Sequence, residues 1–345
     1  MNTPLVTIVV VPRERFSYAK TSLESVYEHT QIPFNLVYVD GNSPKKLKQY
    51  LEEQSQLKGF KLLRSDIYLY PNQARNLGLQ HVDTKYLAFV DNDVVVSPGW
   101  LSALVRCAEE TDATVVGPLM CQHDPIHQEV HFAGGESHIW VDKLGRRRLR
   151  EKMFYQGKTV DAIRDRIQRT PTELAEFHCT LVRRSIFDQI GLLDEAMLNT
   201  KEHLDFCMSV REAGGTVYFE PESVVTYVPG PPSEWGDLHY YMLRWSDRWT
   251  LGSLDHLKNK WELAEDAYFK TKYKKLGWRR QMAIISPIVK KLTFGLYSPK
   301  LEKLFMRFDR HLNRYLTTRH AKQQHVKQQV PTSLSNNMVS TLVDP

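Results

Sequence analysis

Two carboxylates set two residues apart, Asp91 and Asp93, follow the apolar run Tyr86-Leu87-Ala88-Phe89-Val90. The run reads as a buried strand, and acids just past a core strand are costly unless something cationic meets them. Carboxylate oxygens suit Mg²⁺ or Mn²⁺, so this spacing points to a divalent metal carrying a diphosphate. The same letters also describe a solvated Asp-Asn-Asp turn. The neighbouring elements have to decide between the two.

Leu5 to Val11 is a β-branched run stopped by Pro12, as expected of a fully buried parallel strand. Tyr18 to His29 has helical spacing, and Phe34 to Val39 is a second strand ending at Asp40-Gly41-Asn42-Ser43. Ser43 as cap and Pro44 at the first helical position open a helix through Leu51. Phe60 to Leu63 is a strand, Asn72 to Leu79 a helix, and Ser97-Pro98-Gly99-Trp100 starts another helix by the same cap-plus-proline chemistry. Ala113 to Val116 and Glu176 to Val182 are further strands, Glu202 to Val210 is helical, and Val217 to Phe219 and Ser223 to Tyr227 are two short strands. Such alternation means βαβ units and a mostly parallel sheet flanked by helices. Ligands of such sheets bind beyond the carboxyl ends of the strands. Pro12-Arg13-Glu14, Asp40-Gly41-Asn42 and Asp91-Asn92-Asp93 all follow strand ends, and so converge on one rim. The absence of a G-x-G-x-x-G after the first strand, and of a Walker A sequence, argues against dinucleotide and P-loop readings. His127 and His131 have zinc-like i, i+4 spacing, but Gly134-Gly135 and irregular flanks speak against a helix there.

The chain has 345 residues and a net charge of +6. Residues 1–238 hold 26 Lys and Arg against 32 Asp and Glu, whereas 239–345 hold 20 against 8. A basic segment on an acidic body suggests an anionic partner, and it equally fits a helical extension with solvated Lys and Arg. Four widely spaced cysteines fit reduced, buried thiols. No membrane-length apolar run and no signal peptide is visible, which gives the expectation of a cytoplasmic protein, at most peripheral on the inner face of a membrane.

Taken in order, these motifs resemble the inverting family 2 glycosyltransferases with the GT-A fold, over about residues 5–228. The carriers are the first strand ending at Pro12, the second at Asp40, the helix Asn72-Gln73-Ala74-Arg75-Asn76-Leu77-Gly78, Asp91-Asn92-Asp93, and Glu202-x-x-Asp205 through Arg211-x-Ala213-Gly214-Gly215. The resemblance implies a nucleotide-diphosphate sugar as donor and a glycan, lipid-linked or protein hydroxyl as acceptor. Asp93 would hold Mn²⁺ or Mg²⁺, with Asp91 on the metal or the ribose. Asp40 and Arg75 would contact the nucleobase, with Pro12, Arg13, Glu14, Asn72 and Asn92 in the same donor pocket. Arg75 also fits a helix residue paired with a nearby acid.

Inversion needs a general base opposite the leaving nucleotide. The family usually has Glu-Asp where this chain has Glu202-His203, so Glu202, Asp205 and His203 are all candidates, ranked in that order. Asp205 equally fits a helix cap. His178 falls where such folds floor the donor-sugar pocket, or is a satisfied core histidine. His239 belongs to the stretch Asp237 to Trp245 expected to close over the acceptor, although Tyr241, Trp245 and Trp249 repeat like a helix core.

The expected organisation is a GT-A domain over 1–230, an aromatic and basic helical extension over 231–320 and a disordered tail over 321–345. Peripheral contact of the extension with an anionic membrane is part of this reading, and nucleic acid is not. Two other functions compete. A nucleotidyltransferase shares this topology but usually carries a Gly-rich basic loop where Pro12-Arg13-Glu14 stands. A degenerate domain that binds nucleotide sugar or polyanion without turnover is supported only by His203.

Overall fold

The fold is given by a computed structural model that describes residues 3–230, 234–296 and 298–329. Strands β1 (Val6–Val11), β2 (Phe34–Gly41), β3 (Lys61–Ser65) and β4 (Tyr86–Asp91) lie parallel in the order β3-β2-β1-β4. Helices α1 (Ala19–His29), α2 (Lys45–Lys58) and α3 (Pro71–Leu79) connect them. Every residue of β1 and β4 is buried, which is why both read as unbroken apolar runs. Gly78 lets α3 lie on β1, since a Cβ there would stand 2.3 Å from Val9 Cγ1. That close approach carries Arg75 to the end of β4.

The chain continues through β5 (Val94–Val96), α4 (Trp100–Thr111), β6 (Val115–Gln122) and β7 (Glu129–Phe132), then the hairpin β8 (Gly135–Val141) and β9 (Arg147–Met153). Next come α5 (Val160–Ile163), β10 (Thr170–Thr172), β11 (Cys179–Arg183), α6 (Phe187–Ile190), α7 (Glu202–Glu212) and β12 (Val217–Tyr227). β11 enters the sheet antiparallel between β4 and β6, and β12 runs parallel to β6. The sheet is therefore mostly parallel and flanked by helices, with β11 inserted antiparallel and β5, β7 and β10 pairing antiparallel at its β6–β12 end.

Three local expectations are corrected. Ser43 does not cap α2, because its backbone N–H and its hydroxyl both donate to Asp40, and Pro44 takes the cap position. The Ser97-Pro98 signal does not start α4 either; Gly99, at φ 78°, precedes a helix that opens at Trp100. Val217 to Tyr227 is one strand, with a register shift between Glu220 and Val224 that absorbs Pro221.

The C-terminal part is helical: α8 (Trp235–Arg244), α9 (Asp247–Lys260), α10 (Ala267–Lys274), α11 (Trp278–Arg280), a π-helical stretch over Gln281–Ile285, α12 (Ser286–Leu292) and α13 (Pro299–Gln329). Ser246 and Asp266 cap α9 and α10 by accepting from the Trp249 and Tyr268 backbone N–H groups. Helix α13 runs nine residues into the stretch expected to be disordered, and residues 330–345 lie outside the described residues. Cys107, Cys121, Cys179 and Cys207 are free and buried. Among the described residues no helix is long and apolar enough to cross a membrane.

Candidate active site

The carboxylates after β4 lie at the rim of the sheet, and the sheet's register builds what surrounds them. β1 and β4 place Val11 beside Asp91, and the Asn92 backbone N–H donates to Val11 O at 2.9 Å. The Arg13 backbone N–H in turn donates to Asn92 Oδ1 at 2.9 Å, which ties the loop after β1 to the acidic turn. Because β11 is antiparallel to β4 with Cys179 opposite Val90, His178 falls opposite Asp91, and the Asp91 N–H donates to His178 O at 2.9 Å. One ligand atom from each of Asp91, Asp93 and His178 lies within 4.8 Å of the others, all three side chains being buried.

These three groups are short of partners. Among the described residues neither Asp93 oxygen has a hydrogen-bond partner, and nor do Asp91 Oδ2 and His178 Nδ1, although these two stand only 3.0 Å apart. Burial, with Asp91 and Glu14 beside it, pushes the Asp93 carboxyl well above the usual carboxylate range, opposed only in part by Arg13 and by the nearby Glu14 backbone N–H, which does not reach hydrogen-bond geometry. Burial, together with Arg13, His131 and Arg75, holds His178 well below the usual imidazole range, so it is the neutral ring that offers Nδ1. Two carboxylates and a neutral imidazole, buried with bare lone pairs, fit a divalent cation. His178 Nδ1 thus lacks the partner of a satisfied core histidine, and the ring also lines the neighbouring cleft.

The rest of the expected donor rim is already bonded. Arg75, wholly buried, donates to Asp91 at 3.1 Å and to Asn72 at 3.3 Å, and its guanidinium lies over the Phe177 ring. Asn72 donates to Asp194 O. Asp40 takes both Ser43 donors and the Arg64 guanidinium. Glu14 accepts from Tyr227 Oη at 2.7 Å. Helix α8 lies across this rim: Ser17 donates to Asp237 through N–H and hydroxyl, and the Tyr240 hydroxyl approaches Pro12 O and Leu69 O. Tyr240 and His239 both pack on Tyr68. His239 lines a separate apolar groove with Trp235, Leu238 and Met242 and is not among the residues lining the cleft beside His178.

Beside the three groups a cleft of about 330 Å³ is lined by Arg13, His178, Glu202 and His203, and by Trp245, Lys272 and Arg279 of the extension. Arg279 lies over the Trp245 ring at 3.8 Å. So Trp245 faces the cleft, while Tyr241 and Trp249 are core. Arg13 sits 3.6 Å from Asp91 and 3.4 Å from Glu202. Burial lowers its pKa, but Asp91, Glu202 and Glu14 more than offset this, and the guanidinium is held above its ordinary value.

The three candidate bases at the start of α7 part company. Glu202 Oε1 meets Arg13 and Arg244 at 3.4 Å each and Arg75 at 4.0 Å. Asp205 points away from the cleft and is held by Lys260 Nζ and Trp261 Nε1, each at 2.8 Å. It joins α7 to the end of α9. His203 lines the cleft, its Nε2 without a hydrogen bond and 3.4 Å from Glu176 Oε1. Burial, then Lys201, keeps the His203 ring neutral, and burial pushes the Glu176 carboxyl up to about 8.

The sequence reading missed Glu176, Lys201 and Glu151. Lys201 Nζ donates to both oxygens of Glu151, at 2.6 and 2.7 Å, in the cleft wall. A charged residue ending the apolar stretch before His178 was the one available signal for Glu176. The zinc-like pair is undone. His127 stands at φ 62° and bonds Thr226, while His131, on β7, bonds Gln122 and lies edge-on to His178.

Comparisons with known proteins agree with this architecture. The model of Glycosyl transferase family 2 matches residues 7–191. An uncharacterized protein of Sinorhizobium fredii is 26% identical over 61% of this chain and 23% of its own length. An uncharacterized glycosyltransferase of Haemophilus influenzae is 28% identical over 45% of this chain and 49% of its own. A crystal structure of GalNAc-T7 with UDP, GalNAc and Mn²⁺ superposes with a TM-score of 0.50 at 18% identity, covering 81% of this chain and 57% of that one, which shows a shared fold. The chain spans about half or less of the length of these curated relatives.

Proposed function

Because the chain belongs to Glycosyl transferase family 2, we propose that it moves a sugar from a nucleotide-diphosphate donor to an acceptor hydroxyl with inversion. The observation that carries this reading is the set of bare lone pairs on Asp93, Asp91 and His178 beside a cleft rich in cations. A divalent ion held by these three residues would balance the charge of the departing diphosphate. Arg13, Lys272 and Arg279 add positive charge on the same cleft, where it favours the charge developing on the leaving group.

His203 is the residue we assign to take the acceptor's proton. The His203 ring lines the cleft and its Nε2 has no hydrogen-bond partner among the described residues, whereas Glu202 is committed to three guanidiniums and Asp205 to Lys260 and Trp261. Glu176 Oε1 lies 3.4 Å from the same nitrogen, so the two side chains form one proton-accepting pair in the cleft wall. Glu202 then serves to position Arg13. The family match weighs against nucleotidyl transfer, and turnover separates an enzyme from a degenerate binder.

The test is donor hydrolysis and transfer with a panel of nucleotide sugars, with and without Mn²⁺. Wild type is expected to be stabilised by a nucleoside diphosphate only when metal is present. His203→Ala should lose about 10²–10⁴-fold in kcat with metal-dependent nucleotide binding intact. A His203→Ala enzyme with full turnover would remove the base, and diphosphate binding indifferent to metal and to Asp93→Ala would remove the metal site.

A further inference from the structure

Helix α13 is built the wrong way round for a helix packed on a protein body. Its buried stripe is mostly polar: Glu302, Asp309, Asn313, Thr317, His320 and Gln324. These residues have partners. Asp309 takes Arg280, Glu302 takes the Ser286 hydroxyl, Asn313 donates to Met242 O, and His320 and Gln324 both reach Tyr68 O. Met306, Leu301 and Phe305 pack on Ile285 and Val289, but the polar contacts carry most of the docking and leave a second apolar row outside. Leu304, Phe308, Leu312 and Tyr315 recur at intervals of three and four on an outer face, exposed by 46, 67, 52 and 61%.

That face does not stand alone. Phe308 and Leu312 share an apolar groove of about 750 Å³ with Trp235 and Met242 of α8 and with Ile284 and Ile288 before α13. Trp235 is 90% exposed at one edge, and Phe294, between α12 and α13, is 98% exposed. A contiguous apolar surface of this kind on a folded chain marks an interaction site. A third sector of α13 carries Lys303, Arg307, Arg310 and Arg314, again at intervals of three and four, with Lys290, Lys291 and Lys300 on the neighbouring segment. All seven are exposed, and among the described residues no ion pair is formed by any of them. The two acids of this region, Glu302 and Asp309, are turned inward.

Charge decides the occupant. A second copy would bring one basic row against another. A bilayer surface carrying anionic headgroups answers both features, since basic side chains meet the headgroup phosphates while the aromatic and aliphatic row enters the acyl boundary. We propose that α13, with Trp235 and Phe294, is a docking surface for an anionic membrane. Trp278 and Arg279, which line the catalytic cleft, lie in the same segment shortly before the groove residues Ile284 and Ile288. Docking through this face would hold the cleft near the membrane surface, where an acceptor carried on a lipid is presented.

The test is co-sedimentation of the full chain with vesicles of phosphatidylcholine alone and of phosphatidylcholine containing about one third phosphatidylglycerol. The expected result is binding to the anionic vesicles only, weakened by about tenfold or more at high salt. Phe308→Glu/Leu312→Glu and Lys303→Glu/Arg307→Glu should each abolish it, with donor hydrolysis in solution retained. Wild-type fluorescence gives a check that needs no altered helix: vesicles should blue-shift an emission component that Trp235→Phe removes. Absence of binding to anionic vesicles overturns the proposal. So does binding that survives Phe308→Glu/Leu312→Glu, and so does a wild-type dimer that this variant dissociates while vesicle binding persists. None of these outcomes bears on the metal site or on His203.

Discussion

Two buried acidic groups lie on either side of Arg13 and Arg75, and their carboxylates are treated differently. After β4, Asp93 and one oxygen of Asp91 are sealed from water with no hydrogen bond. At the start of α7, Glu202 and Asp205 are sealed just as completely, yet Glu202 meets three guanidiniums and Asp205 meets an ammonium and an indole N–H. A buried carboxylate with a full set of partners belongs to the architecture. One whose lone pairs are bare is costly to the free protein, and the cost is recovered when a cation arrives. In sequence the two groups look alike. The difference lies in which cations the fold brings to them.

The contrast is sharpest in stability. Glu202→Ala leaves the fully buried Arg75 and Arg244 without their shared carboxylate, and should cost about 3–5 kcal/mol in urea unfolding. A cost below about 1 kcal/mol would mean the guanidiniums do not depend on it. Asp93→Asn should act the other way without metal, raising the melting temperature because it removes an unpartnered buried acid. The same variant should lose the Mn²⁺ stabilisation of the wild type, about 2.7 kcal/mol at a hundredfold excess over Kd. If it melts lower than wild type in the absence of metal, Asp93 is structural and the comparison collapses.

Asp205→Ala should cost about 1–3 kcal/mol through Lys260 and Trp261, while kcat/KM of the folded enzyme stays within about threefold. A folded variant that has lost activity would return Asp205 to the list of bases. The smallest effect concerns Lys272. The neighbouring Lys201 ammonium, helped by burial, lowers its pKa from 10.5 to about 8. A lysine depressed in the folded state penalises folding while it is charged, and that penalty fades as pH rises from about 8 toward 10.5. Lys272→Met should therefore melt higher than wild type by about 1 °C at pH 7, and the gap should close by pH 10.5.

Much of the sheet was legible because burial on both faces writes itself as uninterrupted β-branched runs, as in Val6 to Val11 and Tyr86 to Val90. Helix starts were less so. Ser43 and Ser97 carry the letters of a cap, but Asp40 captures the first, and the second lies outside a helix whose opening Gly99 decides. The wall of the cleft was the least legible part. Glu176 meets His203, and Lys201 meets Glu151, through strands and loops far apart in the chain, and no local periodicity encodes such pairings.

The sequence by itself determined the alternation of strands and helices up to about residue 116, the acidic turn at the end of β4, and the basic character of the extension. These follow from local composition and spacing, which each segment carries with it. Only the tertiary structure decided that His178 joins Asp91 and Asp93, since that depends on an antiparallel register between β11 and β4. It also decided that Glu202 is caged by arginines, that Asp205 and His239 are not among the residues lining the cleft, and that α13 turns its polar stripe inward. Each of these depends on which distant group is brought within bonding distance, and that is a property of the packed chain as a whole.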